Sequence, residues 1–183
     1  MRQDKEALCA RNLEDEDRPV MVVGPSGAGK STLLKSLGLM DGQVKKTEAL
    51  VYLDKAIDTP GEMLSVPRYY NAIILNSVRA SLILFVVDAG RRTRLPARIA
   101  LALKAPVLGV IAKTDAASPA ELAEAEATLK GAGVEDLVRV SAKSGEGLEE
   151  LQRRLFSRSR PGTDRTYGRQ PRGLGPAHNG GEL

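Results

Sequence analysis

Residues 24–31 read GPSGAGKS, and this segment constrains the fold more than any other part of the chain. It matches the pattern G-x-x-x-x-G-K-[ST], with an apolar run, PVMVV, before it and the helically spaced KSTLLKSLGLM at its end. Glycines let the backbone curl so that successive N–H groups converge on anionic oxygens, and the following helix adds its positive end. Because the motif stands between a strand and a helix, the sequence predicts a phosphate loop and a nucleoside-triphosphate site.

The phosphate loop supplies two side chains with predicted chemical roles. We expect Lys30 to reach the β- and γ-phosphates with its charge in solvent-accessible space, and Ser31 to bind Mg²⁺ through its hydroxyl. The predicted nucleotide contacts of the loop are Gly24, Pro25, Ser26, Gly27, Ala28, Gly29, Lys30, Ser31 and Thr32.

The stretch AIDTPGEML, residues 56–64, is by itself compatible with an ordinary Asp-Pro-Gly turn. In a chain with a phosphate loop it has a second interpretation. Asp58 joins the magnesium shell and the Gly61 N–H donates to the γ-phosphate, so that loss of this phosphate releases the segment as a switch. Thr47 is placed to add its hydroxyl to Mg²⁺, although a threonine at the start of a strand is the alternative.

Two further segments follow predicted strands: AKTD at residues 112–115 and SAK at residues 141–143. The Asp115 carboxylate would accept from the N1–H and N2–H groups of guanine, which adenine lacks. Lys113 would lie along the base, and the Ala142 N–H would donate to guanine O6. Since α/β sheets bind ligands at the carboxyl ends of their strands, we predict a base-binding site here. Its residues are Lys113, Asp115, Ser141, Ala142 and Lys143.

Continuous apolar runs alternate with helically spaced segments along the chain. The predicted strands after the phosphate loop are SLILFVVD, APVLGVIAK and DLVRVSA. The predicted helices are TRLPARIALALK (residues 93–104), SPAELAEAEATLKGAG with a capping box at its start, and GEGLEELQRRLF. TEALVYLDKAI is interrupted by charges and is predicted to form one or two edge strands. This alternation predicts a three-layer α/β P-loop NTPase fold, with a mostly parallel sheet and helices on both faces.

The chain divides into three predicted regions. Residues 1–17 form a charged leader, residues 18–156 a P-loop domain like that of small GTPases, and residues 157–183 a tail rich in Arg, Gly and Pro. The tail has hardly any large apolar residue, and it is therefore expected to be disordered.

Composition argues against several classes of function. Aromatic residues make up 3% of the chain, too few for the stacking platforms that bind single-stranded nucleic acid. The tail supplies +3 of the net charge of +4, so no basic nucleic-acid face is expected. The single Cys9 and single His178 exclude a disulfide framework, a Cys/His zinc site and a histidine-based triad. No apolar run reaches the length of a membrane span, so we expect no membrane partner and a cytoplasmic protein.

Four segments carry a resemblance to a known family: KKTEALVY, IDTPGE followed by PRYY, TRLPA and AKTDAASP. Over residues 18–156 the chain resembles the EutP/PduV family, small P-loop proteins of ethanolamine- and propanediol-utilisation operons that are associated with bacterial microcompartments. The resemblance implies GTP or ATP and Mg²⁺ as ligands, and microcompartment shell proteins or pathway enzymes as partners. It implies nothing for the leader or the tail, which depart from the family.

Two positions predict slow catalysis and weak base selection. Glu62 stands where Ras-like enzymes keep a water-orienting Gln, and a carboxylate cannot donate to the γ-phosphate, so turnover is expected to be slow. Ala112 replaces the Asn that ties the base-reading loop to the phosphate loop, so ATP stays open as the nucleotide. Four arginines lie in loops that could supply an arginine finger, and each is expected to be a solvated charge: Arg68, Arg91, Arg92 and Arg94.

These observations leave three functions open. The first is a slow Mg²⁺-dependent GTPase or NTPase of ethanolamine or propanediol utilisation, with Lys30 and Glu62 as catalytic candidates. The second is a phosphotransferase that uses ATP to phosphorylate a small acid, as an acetate kinase does. The third is a non-catalytic microcompartment localisation factor whose nucleotide is structural.

Overall fold

The computed structural model of the protein describes residues 18–40, 50–53 and 55–158. The predicted leader at residues 1–17, the magnesium candidate Thr47 and residues 159–183 of the predicted tail lie outside the described residues.

Six strands form one sheet whose order brings the predicted motifs to one edge. The strands are β1 (Val20–Val23), β2 (Val51–Tyr52), β3 (Ala56–Asp58), β4 (Leu82–Asp88), β5 (Val107–Ala112) and β6 (Leu137–Val140). Their order is β2-β3-β1-β4-β5-β6, and every neighbouring pair is parallel except β2 with β3. Because the other five strands run in the same direction, the segments that follow them emerge at the same edge of the sheet.

Helices cover both faces of this sheet. They are α1 (Lys30–Ser36), α2 (Tyr70–Ser77), α3 (Pro119–Gly131) and α4 (Leu148–Arg158). One buried cluster joins Leu129 of α3 to Phe85, and a second joins Leu33 of α1 and Leu151 of α4 to Leu84. Neighbouring residues of a strand point to opposite faces, so β4 contributes to both halves of the core. The predicted three-layer α/β fold is confirmed.

Helix α3 begins where the sequence indicates. Ser118 Oγ accepts from the backbone N–H of Glu121, and the Glu121 carboxylate accepts from the backbone N–H of Ser118 at 2.7 Å. Pro119 occupies the first helical position, where its missing N–H leaves nothing unpaired. The predicted capping box is therefore present, and it fixes the path of the chain directly after the base-reading segment.

The predicted helix at residues 93–104 is wrong. In this stretch only Ile99–Ala102 are helical, as a short 3₁₀ segment. Pro96 has no N–H to donate, and Arg98 adopts a left-handed conformation with φ +57°, which interrupts a right-handed helix. The Arg98 N–H donates instead to the carbonyl of Gly131, 3.0 Å away at the end of α3. A tertiary contact thus replaces the local hydrogen bond that the apolar spacing predicted.

Candidate functional site

The phosphate loop joins β1 to α1 in a conformation that depends on glycine. Gly27 and Gly29 adopt φ values of +78° and +94°, in the region where other residues are strained. Gly29 is also the residue before α1, and it has no side chain to cap the first N–H groups of that helix. Those groups are consequently available to an anionic oxygen, as the motif predicts.

Lys30 lies inside the loop rather than in open solvent. Its Nζ donates to the carbonyls of Gly24 at 2.9 Å and Pro25 at 3.0 Å, and the residue is only 6% exposed. Burial lowers the pKa of the Lys30 ammonium, while the carboxylates of Asp58 and Glu62 oppose that shift. The expectation of a solvent-accessible charge was therefore wrong. An ammonium has three N–H donors, so one remains for a phosphate oxygen.

The two predicted magnesium residues within the described chain touch each other. The Ser31 hydroxyl donates to Asp58 Oδ2 at 2.7 Å, although 27 residues separate them in sequence. Asp58 ends β3 and is 2% exposed, and the parallel register places it opposite Val22 of β1. The next residue, Thr59, donates its hydroxyl to the Val22 carbonyl at 2.8 Å. Strand pairing and this bond together hold the carboxylate against the start of α1.

A hydroxyl beside one carboxylate is a donor set that suits Mg²⁺. Among the residues that the structure describes, no group of three or more His, Cys, Asp or Glu side chains could hold a metal ion. Magnesium in nucleotide sites is bound through one or two carboxylates, phosphate oxygens and water, and it needs no larger protein cage. Ser31 and Asp58 therefore fit the ion that the sequence predicts.

The turn after Asp58 packs directly on the phosphate loop. A side-chain carbon at Gly61 would lie 2.6 Å from the Pro25 carbonyl carbon and closer still to the backbone of Ser26. Only glycine fits at this position, because a real side-chain carbon does not approach a backbone atom so closely. Glu62 follows in an exposed position, at the start of the 3₁₀ segment Gly61–Leu64. The predicted γ-phosphate contact thus adjoins the loop that would hold the phosphate.

Lys113 connects the base-reading segment to the phosphate loop. It adopts φ +62°, and its Nζ donates to the Gly27 carbonyl at 2.8 Å and to Asp88 Oδ2 at 2.7 Å. With Ala112 in place of Asn we expected this connection to be weakened, but the lysine makes one itself. Asp88 was not predicted as a site residue. The available signal was its place as the polar end of the apolar strand β4, at the same edge as the other motifs.

The two predicted base-reading segments are in contact. Ser141, which is fully buried, donates its hydroxyl to Asp115 Oδ1 at 2.6 Å, and this bond lowers the pKa of the carboxyl group. Asp115 is therefore held ionised and in one orientation, as an acceptor for N–H groups. Ala142 and Lys143 form the turn after Ser141, and Lys143 is exposed.

Arg91 contacts the phosphate loop, and the sequence did not predict this contact. Its Nη1 donates to the Ser26 carbonyl at 3.2 Å, across 65 residues of sequence. Arg92 instead pairs with Glu124 at 3.0 Å, and Arg68 lies over the ring of Tyr69. Nothing local in GRRT distinguishes the first arginine from the second, because the contact depends on how β1 and β4 pair.

A cavity of about 410 Å³ lies between the segment after β4 and helix α3. Its charged lining consists of Asp88, Arg91, Arg92, Glu121 and Glu124. Within this lining Arg92 pairs with Glu124, and Asp88 pairs with Lys113, which lies outside the lining. Glu121 is engaged in the capping box of α3. Arg91 has no ion-pair partner among the described residues, although the carboxylates of Asp88, Glu121 and Glu124 line the same cavity.

The described helices include none that is both long enough and apolar enough to span a bilayer.

Comparison with known proteins identifies relatives over most of the chain. Residues 17–157 match the family model PduV-EutP, described as ethanolamine utilisation – propanediol utilisation. The chain is 30% identical over 133 residues to the propanediol utilization protein PduV of Citrobacter freundii, which covers 72% of this chain and 89% of that protein. It is 36% identical over 99 residues to the probable acetate kinase EutP of Escherichia coli K12, which covers 52% of this chain and 62% of that protein.

Solved structures with a similar fold include GTP-binding proteins. The translation elongation factor SelB from Methanococcus maripaludis, in complex with the GTP analogue GppNHp, has a TM-score of 0.57 and 23% identity. That match covers 78% of this chain and 33% of SelB. A probable GTP-binding protein EngB has a TM-score of 0.57 and 21% identity, over 77% of this chain and 98% of EngB. At these identities the likeness shows a shared fold.

Proposed function

Because the chain belongs to the PduV-EutP family of ethanolamine and propanediol utilisation proteins, we propose that it is a Mg²⁺-dependent nucleoside-triphosphatase of that metabolism. The nucleotide that we propose is GTP, and the reaction is slow hydrolysis to GDP and phosphate. The P-loop GTPase fold is common to the chain and its structural relatives. The nucleotide, the reaction and the roles of individual residues are our inference from the site.

The observation that carries this proposal is the contact between Ser31 and Asp58 at 2.7 Å. The two residues belong to different motifs, and the motif that contains Asp58 is by itself compatible with an ordinary turn. Their contact places a hydroxyl and a carboxylate next to the buried Lys30 ammonium, at the start of a helix. A magnesium-bound triphosphate needs these groups together, whereas a structural turn does not.

The chain's own groups would divide the work of holding the triphosphate. The loop N–H groups and the third N–H of Lys30 bind phosphate oxygens, and the Gly61 N–H donates to the γ-phosphate. Mg²⁺, when bound, is held by Ser31 and Asp58 and supplies positive charge that offsets the charge on the phosphates. Thr47, a predicted third magnesium ligand, remains a proposal because it lies outside the described residues.

Base selection rests on Asp115. The Ser141 hydroxyl holds its carboxylate ionised, and an ionised carboxylate can accept from two N–H groups of guanine. Lys113 is fixed by Gly27 and Asp88, which keeps the base-reading segment in register with the phosphate loop. These contacts support GTP over ATP despite Ala112. The turn containing Ala142 and Lys143 completes the proposed base site.

Glu62 supports a slow reaction. Its carboxylate is close enough to Lys30 to influence the pKa of that ammonium, so it brings negative charge toward the phosphate site. A carboxylate there can orient water by accepting a hydrogen bond from it, but it repels the γ-phosphate and cannot donate to it. We therefore assign Glu62 a weak water-positioning role.

A phosphotransferase is the second candidate. A relative of 36% identity is named a probable acetate kinase, and the 410 Å³ cavity between the segment after β4 and helix α3 has room for a small carboxylic acid. In that reaction the acid, rather than water, receives the γ-phosphate and an acyl phosphate forms.

A single-turnover experiment with labelled GTP or ATP separates these functions. The protein is placed in excess over nucleotide, with Mg²⁺ or with a chelator, and with or without acetate or propionate. We expect GTP to yield GDP and phosphate, with Mg²⁺ required and the acid without effect. Turnover that needs the acid and produces acyl phosphate would establish the phosphotransferase instead. Binding without turnover under any condition would contradict both and favour a localisation factor.

We further propose a cytoplasmic location and association with microcompartment shells or with enzymes of the pathway, in keeping with the family. A fluorescent fusion expressed with and without shell proteins tests this. Shell-dependent foci are the expected result, and diffuse fluorescence in both strains would contradict the association.

A further inference from the structure

We propose that Arg91 is an arginine finger supplied by the chain itself, which stabilises the charge that develops on the γ-phosphate during hydrolysis. This inference deepens the proposed function and rests on it. It concerns one residue that sequence reasoning treated as a solvated charge and that the fold places on the phosphate loop.

The position of the guanidinium is the first support. Its Nη1 lies 3.2 Å from the Ser26 carbonyl oxygen, and the same atom lies 3.2 Å from where a side-chain carbon of Gly27 would be. Ser26 is also the residue whose backbone packs against Gly61. The guanidinium and the proposed γ-phosphate contact therefore border the same short stretch of the loop. The proposal requires the side chain to turn from this carbonyl toward the phosphate oxygens.

The unused hydrogen-bonding capacity of Arg91 is the second support. A guanidinium has five N–H donors, and only the Ser26 contact is made by this one within the described residues. Lys113, the other exposed cation that contacts the phosphate loop, is already paired with Asp88 at 2.7 Å. Arg91 thus keeps N–H donors that no hydrogen bond within the described residues uses.

The backbone that carries Arg91 is the third support, because it is held in place. The Arg91 N–H donates to the Asp88 carbonyl at 3.3 Å, and the Gly90 N–H donates to the Asp88 carboxylate at 3.0 Å. The Thr93 hydroxyl donates to the Arg91 carbonyl at 3.2 Å. These bonds fix the segment to the end of β4, so only the side chain has to move.

The chemistry of hydrolysis explains why such a cation matters. The water oxygen forms a bond to the γ-phosphorus while the bond between that phosphorus and the β–γ bridging oxygen breaks. The electron pair of the broken bond stays on GDP. One water proton stays on the attacking oxygen and the other passes to a γ-oxygen, so that both leave with the product as dihydrogen phosphate. Negative charge builds up at the bridging and γ-oxygens as this happens. A planar, permanently charged guanidinium can donate two parallel N–H bonds to such oxygens in a fixed geometry, whereas a lysine ammonium acts as a point charge on a flexible stem.

Variants at Arg91 test the inference directly. We would compare Arg91→Ala, Arg91→Lys and the control Arg153→Ala, which removes an exposed cation of α4 paired with Glu150. The measurements are the single-turnover rate with GTP and Mg²⁺, the affinities for GTP and GDP, and the affinity for GDP with aluminium fluoride, which mimics the transition state. Added guanidinium ion is tested for its ability to restore the rate of Arg91→Ala.

We expect Arg91→Ala to lower the rate and the aluminium fluoride affinity by at least about tenfold, with GDP affinity changed less than about twofold. Arg91→Lys should recover only part of the rate, guanidinium ion should rescue Arg91→Ala, and Arg153→Ala should match the unmodified protein. An unchanged rate in Arg91→Ala would overturn this inference and leave the proposed function standing. Equal losses of GDP, GTP and aluminium fluoride binding would overturn it in favour of a loop-shaping role. If the unmodified protein binds no nucleotide, the proposed function fails as well.

Discussion

Replacing Gly61 by alanine tests whether the turn after β3 has to lie on the phosphate loop. The added carbon would stand 2.6 Å from the Pro25 carbonyl carbon, where ordinary contact begins at 3.4 Å. The turn or the loop must therefore move by roughly 0.8 Å at this atom, and further at Ser26. Overpacking of this kind costs about 1–3 kcal/mol in the free energy of unfolding. For a chain of this size that lowers Tm by roughly 2–12 °C.

Binding should change selectively in the Gly61→Ala variant. Displacement of the turn removes the N–H that we assign to the γ-phosphate, so affinity for a non-hydrolysable GTP analogue should fall by about tenfold or more. Affinity for GDP should stay within about threefold, since GDP has no γ-phosphate for that N–H to contact.

A matched control is Gly131→Ala at the end of α3, where an added carbon meets no atom within 4 Å and the backbone conformation is ordinary. There we expect unchanged binding and a stability that is equal or higher by about 0.4–1 kcal/mol. Thermal unfolding and titration of both variants give the comparison. If Gly61→Ala matches Gly131→Ala in Tm and in the ratio of GTP-analogue to GDP affinity, the close packing does not position a γ-phosphate contact.

Three further substitutions address the remaining roles. Lys30→Ala should abolish tight triphosphate binding and also lower stability by about 1–3 kcal/mol, because the buried carbonyl of Gly24 and the half-buried carbonyl of Pro25 lose their donor. Unchanged affinity in a calorimetric titration would contradict the phosphate-loop assignment. Asp115→Asn should reduce the preference for GTP over ATP by at least about tenfold. In the unmodified protein that preference should persist from neutral pH down to the usual carboxyl pKa of 3.8, since Ser141 lowers the pKa of Asp115 further. Equal GTP and ATP affinities before and after the change would refute base reading. Glu62→Gln should raise the single-turnover rate by about tenfold, because the amide can donate to the γ-phosphate and carries no charge. A clear fall in the rate at unchanged nucleotide affinity would show instead that Glu62 is a general base.

The fold could be predicted because its signals are local. Each central strand is a continuous apolar run, and the capping box at Ser118 needs only four residues of sequence. The prediction of a helix at residues 93–104 was wrong because the contact that decides its structure is not local. Its apolar spacing was suitable, but Pro96 and the left-handed Arg98 break the local bonds, and the Arg98 N–H finds its partner on α3. The apolar spacing within one segment gives no information about a hydrogen-bond partner that is distant in the sequence.

In the candidate site, too, some features could be predicted from local sequence and others depend on the fold. The residue types at Lys30, Ser31 and Asp58 follow from motifs, and strand pairing then brings the last two together. The burial of Lys30 was not foreseen, because it depends on the loop closing over its side chain. The contacts of Lys113 with Gly27 and of Arg91 with Ser26 span 86 and 65 residues, so they depend on the order of strands in the sheet. A basic residue in a loop gives no sign of such a contact.

The contact between Ser31 and Asp58 gives the account its central claim, that these residues and Lys30 form a magnesium-triphosphate site. Calorimetric titration of folded, nucleotide-free protein with GTP, GDP and ATP, each with and without Mg²⁺, tests this claim most directly. The account predicts one nucleotide per chain, tightest binding for GTP with Mg²⁺, and a loss of GTP affinity of at least about tenfold when Mg²⁺ is removed. Protein that is folded by circular dichroism but gives no binding heat with any nucleotide, or GTP affinity that ignores Mg²⁺, would contradict it.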